Sequence, residues 1–222
     1  FGLSDAGYPP YLMNNKDSLL GIVGDTFKAV VENMAYQSEV IILPKKRLQL
    51  EIKKGKVDAI AGAIEWQKKV PGMIWSDGVI RVSDNVVMPN SRMVNITDST
   101  KLAGKHVVLM RGYTYPSLEP SLKNSVIQAT RVNGFSSLLK MVAANRVDYG
   151  VLDQNVAKWV MREQKVDLSD SLFFATPGFD EVSFRIIMYP TKDWGPFINE
   201  FNLALKAFQA SPAWKKLLDR YR

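Results

Sequence analysis

The chain has 222 residues, with 29 Lys and Arg against 22 Asp and Glu, giving a formal net charge of +7; it contains one His and no Cys. An apolar content of 46% excludes a disordered chain, and this length is enough for one large core or two modest ones. The missing cysteines exclude disulfides, thiolate nucleophiles, iron–sulfur clusters and Cys-based zinc sites, and the lone His106 argues against a His-rich metal site or a Ser-His-Asp triad.

Taken in chain order, short apolar strands alternate with amphipathic helices, which predicts an α/β fold. Phe1 to Ser4 reads as the end of a strand, and Asp5 to Lys16 as a Gly- and Pro-bearing loop. Asp25 is placed to cap a helix whose Phe27, Val30, Val31 and Met34 share one face. Strands are expected at Val40 to Leu43 and Ala59 to Ala63, with a helix from Arg47 to Lys54 that Gly55 ends. Further strands are expected at His106 to Met110, Ile127 to Val132, Tyr149 to Leu152 and Phe184 to Met188. Ser121 lies in or near the end of a short helix. Phe135, Leu138, Leu139 and Val142 mark the next helix, and Gln154 to Arg162 another. Phe197, Phe201, Leu205 and Phe208 share a helix face, and Ser211-Pro212 opens the last helix with Ser at its cap.

No apolar run is long enough to cross a membrane. The chain opens at Phe1 inside an apolar run with no initiator Met, as expected if a signal peptide has been removed. The basic residues are dispersed; the densest runs are Pro44-Lys45-Lys46-Arg47, Lys53-Lys54-Gly55-Lys56 and Lys68-Lys69. A solvated basic surface accounts for them better than nucleic acid does. Gly21-Ile22-Val23-Gly24 is too short for a phosphate loop, and no nucleophile elbow, His-Glu-x-x-His or calcium-loop pattern occurs. No catalytic residue, metal site or cofactor is expected.

One ordered set of segments is specific. Asp5-Ala6-Gly7-Tyr8-Pro9-Pro10-Tyr11 is followed by Gly21-Ile22-Val23-Gly24-Asp25, Gly55-Lys56-Val57-Asp58-Ala59-Ile60-Ala61-Gly62 and Trp75-Ser76-Asp77-Gly78. Then come Leu102-Ala103-Gly104-Lys105-His106-Val107-Val108, Asn145-Arg146-Val147-Asp148-Tyr149 and Leu152-Asp153. In this order the chain resembles the family 3 extracellular solute-binding proteins, the periplasmic amino-acid receptors of ABC importers. The resemblance covers nearly the whole chain.

It implies a two-lobed periplasmic-binding-protein fold of type II, each lobe a mixed, mostly parallel sheet flanked by helices, with two hinge crossings. Residues 1–88 plus 189–222 would form the first lobe and 89–188 the second. A ligand would be trapped in the inter-lobe cleft, with hinge closure. The implied partners are a small-molecule ligand, an amino acid or related carboxylate, and an ABC permease, with no nucleic acid. The chain would act as a periplasmic or otherwise extracytoplasmic monomer.

The resemblance also nominates contacts. A buried amino acid needs charge partners for its carboxylate and its ammonium. Lys69 stands where the family has an Arg that clamps the carboxylate; a lysine supplies a point charge instead of a fork. Ile64 and Trp66 stand where the family has a polar residue and often Thr, and Gly62 ends the preceding strand. Arg47, in a Pro-x-x-Arg segment, and Arg111, before the turn Gly112-Tyr113-Thr114, are the cations that compensate. Asp153 corresponds to the acidic residue that accepts the ammonium and also suits a helix N-cap. Tyr8 corresponds to an aromatic that stacks on the ligand. Two other roles fit the same fold: a ligand-sensing domain or stand-alone receptor, and, with Glu65 as the sole candidate acid, a cyclohexadienyl-dehydratase-like enzyme.

Overall fold

The computed structural model describes residues 1–5, 7–14, 20–66 and 70–221. The chain divides into two compact units, Phe1–Arg81 with Val182–Arg222, and Val82–Glu181. The first unit begins with β1 (Gly2–Ser4), α1 (Gly21–Asn33), β2 (Ile41–Leu43), α2 (Lys45–Lys53), β3 (Ile60–Gly62) and β4 (Ile74–Trp75). β5 (Ile80–Pro89) carries the chain into the second unit. There follow β6 (His106–Met110), α3 (Glu119–Lys123), β7 (Gln128–Val132), α4 (Phe135–Ala143), β8 (Tyr149–Leu152), α5 (Gln154–Glu163) and β9 (Leu172–Phe174). β10 (Phe179–Met188) returns to the first unit, which α6 (Gly195–Gln209) and α7 (Pro212–Asp219) complete.

In the first unit the strand order is β2-β1-β3-β10-β4. β1 runs parallel to β2 and β3, and β10 runs antiparallel to β3 and β4. The apolar stripe of α1, with Ile22, Val23, Phe27, Val30 and Val31 buried, meets α6 through a tilted Phe27–Phe201 pair at 5.9 Å. Phe201 and Leu205 of α6 are fully buried. This is the face the sequence periodicity predicts, although Phe197 lies at its margin and is only half-buried.

Two expected caps turn out differently. Helix α1 starts four residues before Asp25, whose Oδ1 accepts the Leu20 N–H at 3.2 Å from inside the first turns. Asp25 Oδ2 accepts the Tyr221 hydroxyl at 2.7 Å and lies 3.3 Å from Arg220, so this carboxylate ties α1 to the end of the chain. Ser211 does not cap α7 with its side chain; its hydroxyl donates back to the Phe208 carbonyl at 2.7 Å. Gly21, not Asp25, sets the start of α1. Its φ of +83° lies in the left-handed region, and a Cβ there would stand 2.5 Å from the Tyr11 carbonyl oxygen.

In the second unit the order is β9-β5-β8-β6-β7, with β6 parallel to β7 and β8, and β5 antiparallel to β8 and β9. One core gathers Val86, Met88, Val107, Leu109, Tyr115 and Leu118. Helix α4 buries Leu138, Leu139 and Val142 over β8, where Gly150 leaves no room: a Cβ would meet Leu138 and Val87 at 2.8 Å. No helix among the described residues is long and apolar enough to cross a membrane.

Gly21→Ala is expected to lower the unfolding free energy by about 1–3 kcal/mol, from left-handed strain and the clash with Tyr11. Urea denaturation of both proteins measures this; an unchanged midpoint would show that the turn relaxes freely.

Candidate functional site

In parallel sheets the chain turns at the carboxyl ends of strands expose backbone and side chains to a ligand. In the first unit these ends belong to β1 and β3. The turn after β1 carries Tyr8, and a short 3-10 turn after β3 carries Ile64, Glu65 and Trp66. Trp66 meets Tyr8 edge-on at 6.3 Å and Phe184 at 5.4 Å. Tyr8 also contacts Phe184 at 6.0 Å and stacks on Tyr11 at 5.7 Å. Phe184 and Tyr11 are buried to 2% and 0% exposure, whereas Tyr8 and Trp66 remain half-buried. The inner pair thus anchors the outer pair, and each ring contact adds about 0.5–1.5 kcal/mol beyond its burial.

The other nominated residues of this unit are less gathered. Gly62 is buried at the end of β3, and Ile64 is half-buried in the following turn. Arg47 lies exposed in the first turn of α2. Lys69 lies outside the described residues.

In the second unit the corresponding ends are those of β6 and β8. Their parallel register sets Val108 beside Gly150, so continuing it brings Arg111 and Asp153 out of the sheet at the same level. Arg111 is exposed; its guanidinium donates to the Arg131 carbonyl at 3.4 Å. Gly112 turns the chain at φ +78°, after which Tyr113 packs edge-on against Phe135 at 6.0 Å and Thr114 is exposed. Burial pushes the Tyr113 hydroxyl up to about 12.

Asp153 is 3% exposed and caps α5. Its Oδ1 accepts the N–H groups of Asn155 (2.8 Å) and Val156 (3.0 Å), and Oδ2 accepts that of Ser83 (3.4 Å). The cap and the nominated contact therefore fall on one carboxylate.

Sequence reasoning misses two more acids in this unit. Asp84 lies on β5, on the strand face shared with Val86 and Met88. Asp180 lies on β10 with φ +50°, a left-handed conformation that Asp tolerates better than most residues. Its carboxylate is clasped by Ser117, whose N–H donates to Oδ2 at 2.9 Å and whose hydroxyl donates to Oδ1. Burial, together with the charges of Asp180 and Asp153, raises Asp84 from 3.8 to about 8. The available signal was the polar run Ser83-Asp84-Asn85 inside an otherwise apolar strand. His106 is held structurally: its Nε2 meets the Thr130 hydroxyl at 2.8 Å and its N–H donates to Asp148 at 2.9 Å. Among the described residues no group of three His, Cys, Asp or Glu side chains is placed to hold a metal ion.

The family model described as bacterial extracellular solute-binding proteins, family 3, matches residues 3–222. The chain belongs to that family. No curated protein sequence matches it. Among solved structures it is similar to the GluR0 ligand-binding core in complex with L-glutamate, at 13% identity and TM-score 0.75, over 99% of this chain and 96% of that one. It is also similar to a histidine kinase sensor domain with similarity to periplasmic binding proteins, at 16% identity and TM-score 0.75, over 99% and 94%. An ancestral arginine-binding protein bound to arginine shares 18% identity and TM-score 0.71, over 99% and 96%. At such identities the likeness establishes the fold, that of the type II periplasmic binding proteins.

The pH dependence of the family 3 protein follows from Asp84. Its folded value lies above its ordinary one, so between about pH 4 and 8 the folded chain binds more protons than the unfolded chain. This group therefore withdraws stability progressively as pH rises through that window. Asp84→Asn is expected to raise Tm at pH 8 and to change it little at pH 4, as read by thermal melts of both proteins. Equal shifts at the two pH values would contradict the burial of a proton-holding carboxyl.

Proposed function

We propose that this protein captures a small polar ligand, an amino acid or related carboxylate, outside the cytoplasm and as a monomer, for delivery to an ABC permease. The role is binding, not catalysis. The observation that carries this reading is the chemistry at the carboxyl ends of β6 and β8, where a cation, a hydroxyl and a carboxylate leave the sheet together as Arg111, Thr114 and Asp153. An amino acid requires that pairing, because each of its charges costs several kcal/mol to desolvate without a partner. Supporting it in the first unit, Tyr8 and Trp66 offer half-buried aromatic faces on a rigid base. The family description names extracellular solute binding.

A second reading, a ligand-sensing domain, is favoured by the similarity to a histidine kinase sensor domain across 99% of the chain. Both readings share one ligand-binding step and differ in what the bound form engages.

A thermal-shift screen over the twenty amino acids and small carboxylates tests that step. At a hundredfold excess over Kd a ligand adds about 2.7 kcal/mol of stability. At least one amino acid is expected to raise Tm, and Tyr8→Ala and Arg111→Ala are each expected to weaken its binding tenfold or more. A screen with no shift sinks the reading, and wild-type affinity in both variants removes these two residues from it. Loss of labelled-ligand import on deletion of the gene distinguishes transport from sensing.

A further inference from the structure

A cavity of about 440 Å³ opens within the first unit. It lies at the amino ends of β1, β2 and β3, where Phe1, Ile41 and Ala59 line it. Tyr8 and Trp66 stand past the opposite ends of β1 and β3. None of the described residues nominated for the amino-acid ligand lines this cavity.

Rings carry its wall from the core to the surface. Phe1 stacks on Phe27 at 4.6 Å. Trp194 meets Phe197 edge-on at 5.8 Å, and Phe197 meets Tyr36 in the same manner at 5.4 Å. Trp194 is buried to 9% exposure, whereas Tyr36 is 48% exposed. The two lysines of the lining are already paired. Lys192 Nζ lies 2.7 Å from Asp58 and 4.7 Å from the Trp194 ring centroid, and Lys56 Nζ lies 3.8 Å from Glu51. Glu39 is exposed, so water screens its charge. One polar group of the lining stands apart: the Ser38 hydroxyl is shut off from water and has no hydrogen-bond partner among the described residues. Buried hydroxyls are rarely left in that state.

We infer that this cavity is a second binding site, for a small neutral molecule with an aromatic ring and one hydroxyl or N–H group. Its volume falls in the range of small-molecule pockets. The ring of the ligand packs against Trp194, Phe197 and Tyr36, which offer faces and edges to a further ring. Its polar group pairs with Ser38, whose side chain turns about χ1 to meet it. A charged ligand is disfavoured because the lysines are already committed and an unpaired charge is costly to bury. The inference does not depend on the amino-acid-binding reading above.

NMR titration of the chain with indole and phenol tests this, with benzoate and benzylamine as charged counterparts. The Trp194 Nε1–H donates to the Tyr189 carbonyl at 2.9 Å and supplies a buried reporter in the cavity wall, assigned with Trp194→Phe. Indole or phenol is expected to shift that resonance and the Ser38 amide saturably, at least threefold more tightly than either charged probe. Tyr36→Ala and Ser38→Ala are each expected to weaken binding threefold or more while melting as the parent chain does. Arg111→Ala is expected to leave it unchanged. No response to either neutral probe overturns the inference, whether the cavity stays shut or another part of the chain fills it. Equal binding of a charged probe, or parental affinity in both Tyr36→Ala and Ser38→Ala, also overturns it. A response lost in Arg111→Ala assigns the probe to the strand-end site and overturns it too.

Discussion

Every unit of this protein is built around a strand that begins in the other one. β10 supplies the antiparallel partner that β3 and β4 share in the first unit, yet Phe179 to Glu181 belong to the second. β5 supplies the strand between β8 and β9 in the second unit, yet Ile80 and Arg81 belong to the first. Each strand must satisfy its hydrogen-bonding groups in a sheet whose remaining strands come from elsewhere in the chain. Backbone pairing therefore ties the identity of each unit to the other's sequence. Several of the residues described above lie close in sequence to these crossings. Phe184, base of the Tyr8–Trp66 cluster, is two residues past the return crossing, and Asp84 and Asp180 stand within a few residues of the crossing in their own strands.

Much of the fold was legible because its local signals agree. The strands at His106–Met110 and Tyr149–Leu152 fall where short apolar runs end at turn residues, and α4 and α5 follow their apolar periodicity. β5 was not legible, because Ser83, Asp84 and Asn85 interrupt its apolar run and look like loop residues. Their place in a strand is tertiary: Asn85 donates to the Ala175 carbonyl and accepts the Gln154 N–H, using its side chain to bridge neighbouring segments. β4 and β9, at two and three residues, are too short to carry a period. The start of α1 was misplaced because Asp25 resembles a cap, while the decisive residue is the left-handed Gly21.

The site was legible only in part, for a related reason. Family-type segments lead to Tyr8, Trp66, Arg111 and Asp153, since each sits at a strand end with a recognisable neighbour. Asp84 and Asp180 have no such context, since the polar run around Asp84 does not announce a strand and the left-handed conformation of Asp180 is set by the fold. The +7 charge, read from the sequence as a solvated basic surface, says little about any one locality. Exposed lysines supply most of the total. Net charge describes the long-range field and not the short-range contacts of any one site.

The interleaving of β5 and β10 also orders events during synthesis. Residues 82–181 form a contiguous unit and can collapse as soon as they emerge. The first unit cannot close then, because its β10 strand and both helices α6 and α7 lie in the last forty-one residues, Val182–Arg222. Until those arrive, β3 exposes an unpaired edge and α1 an uncovered apolar stripe, features that promote intermolecular pairing. The nascent chain thus passes through a half-built stage whose longest-lived hazard is in the segment made before the second unit.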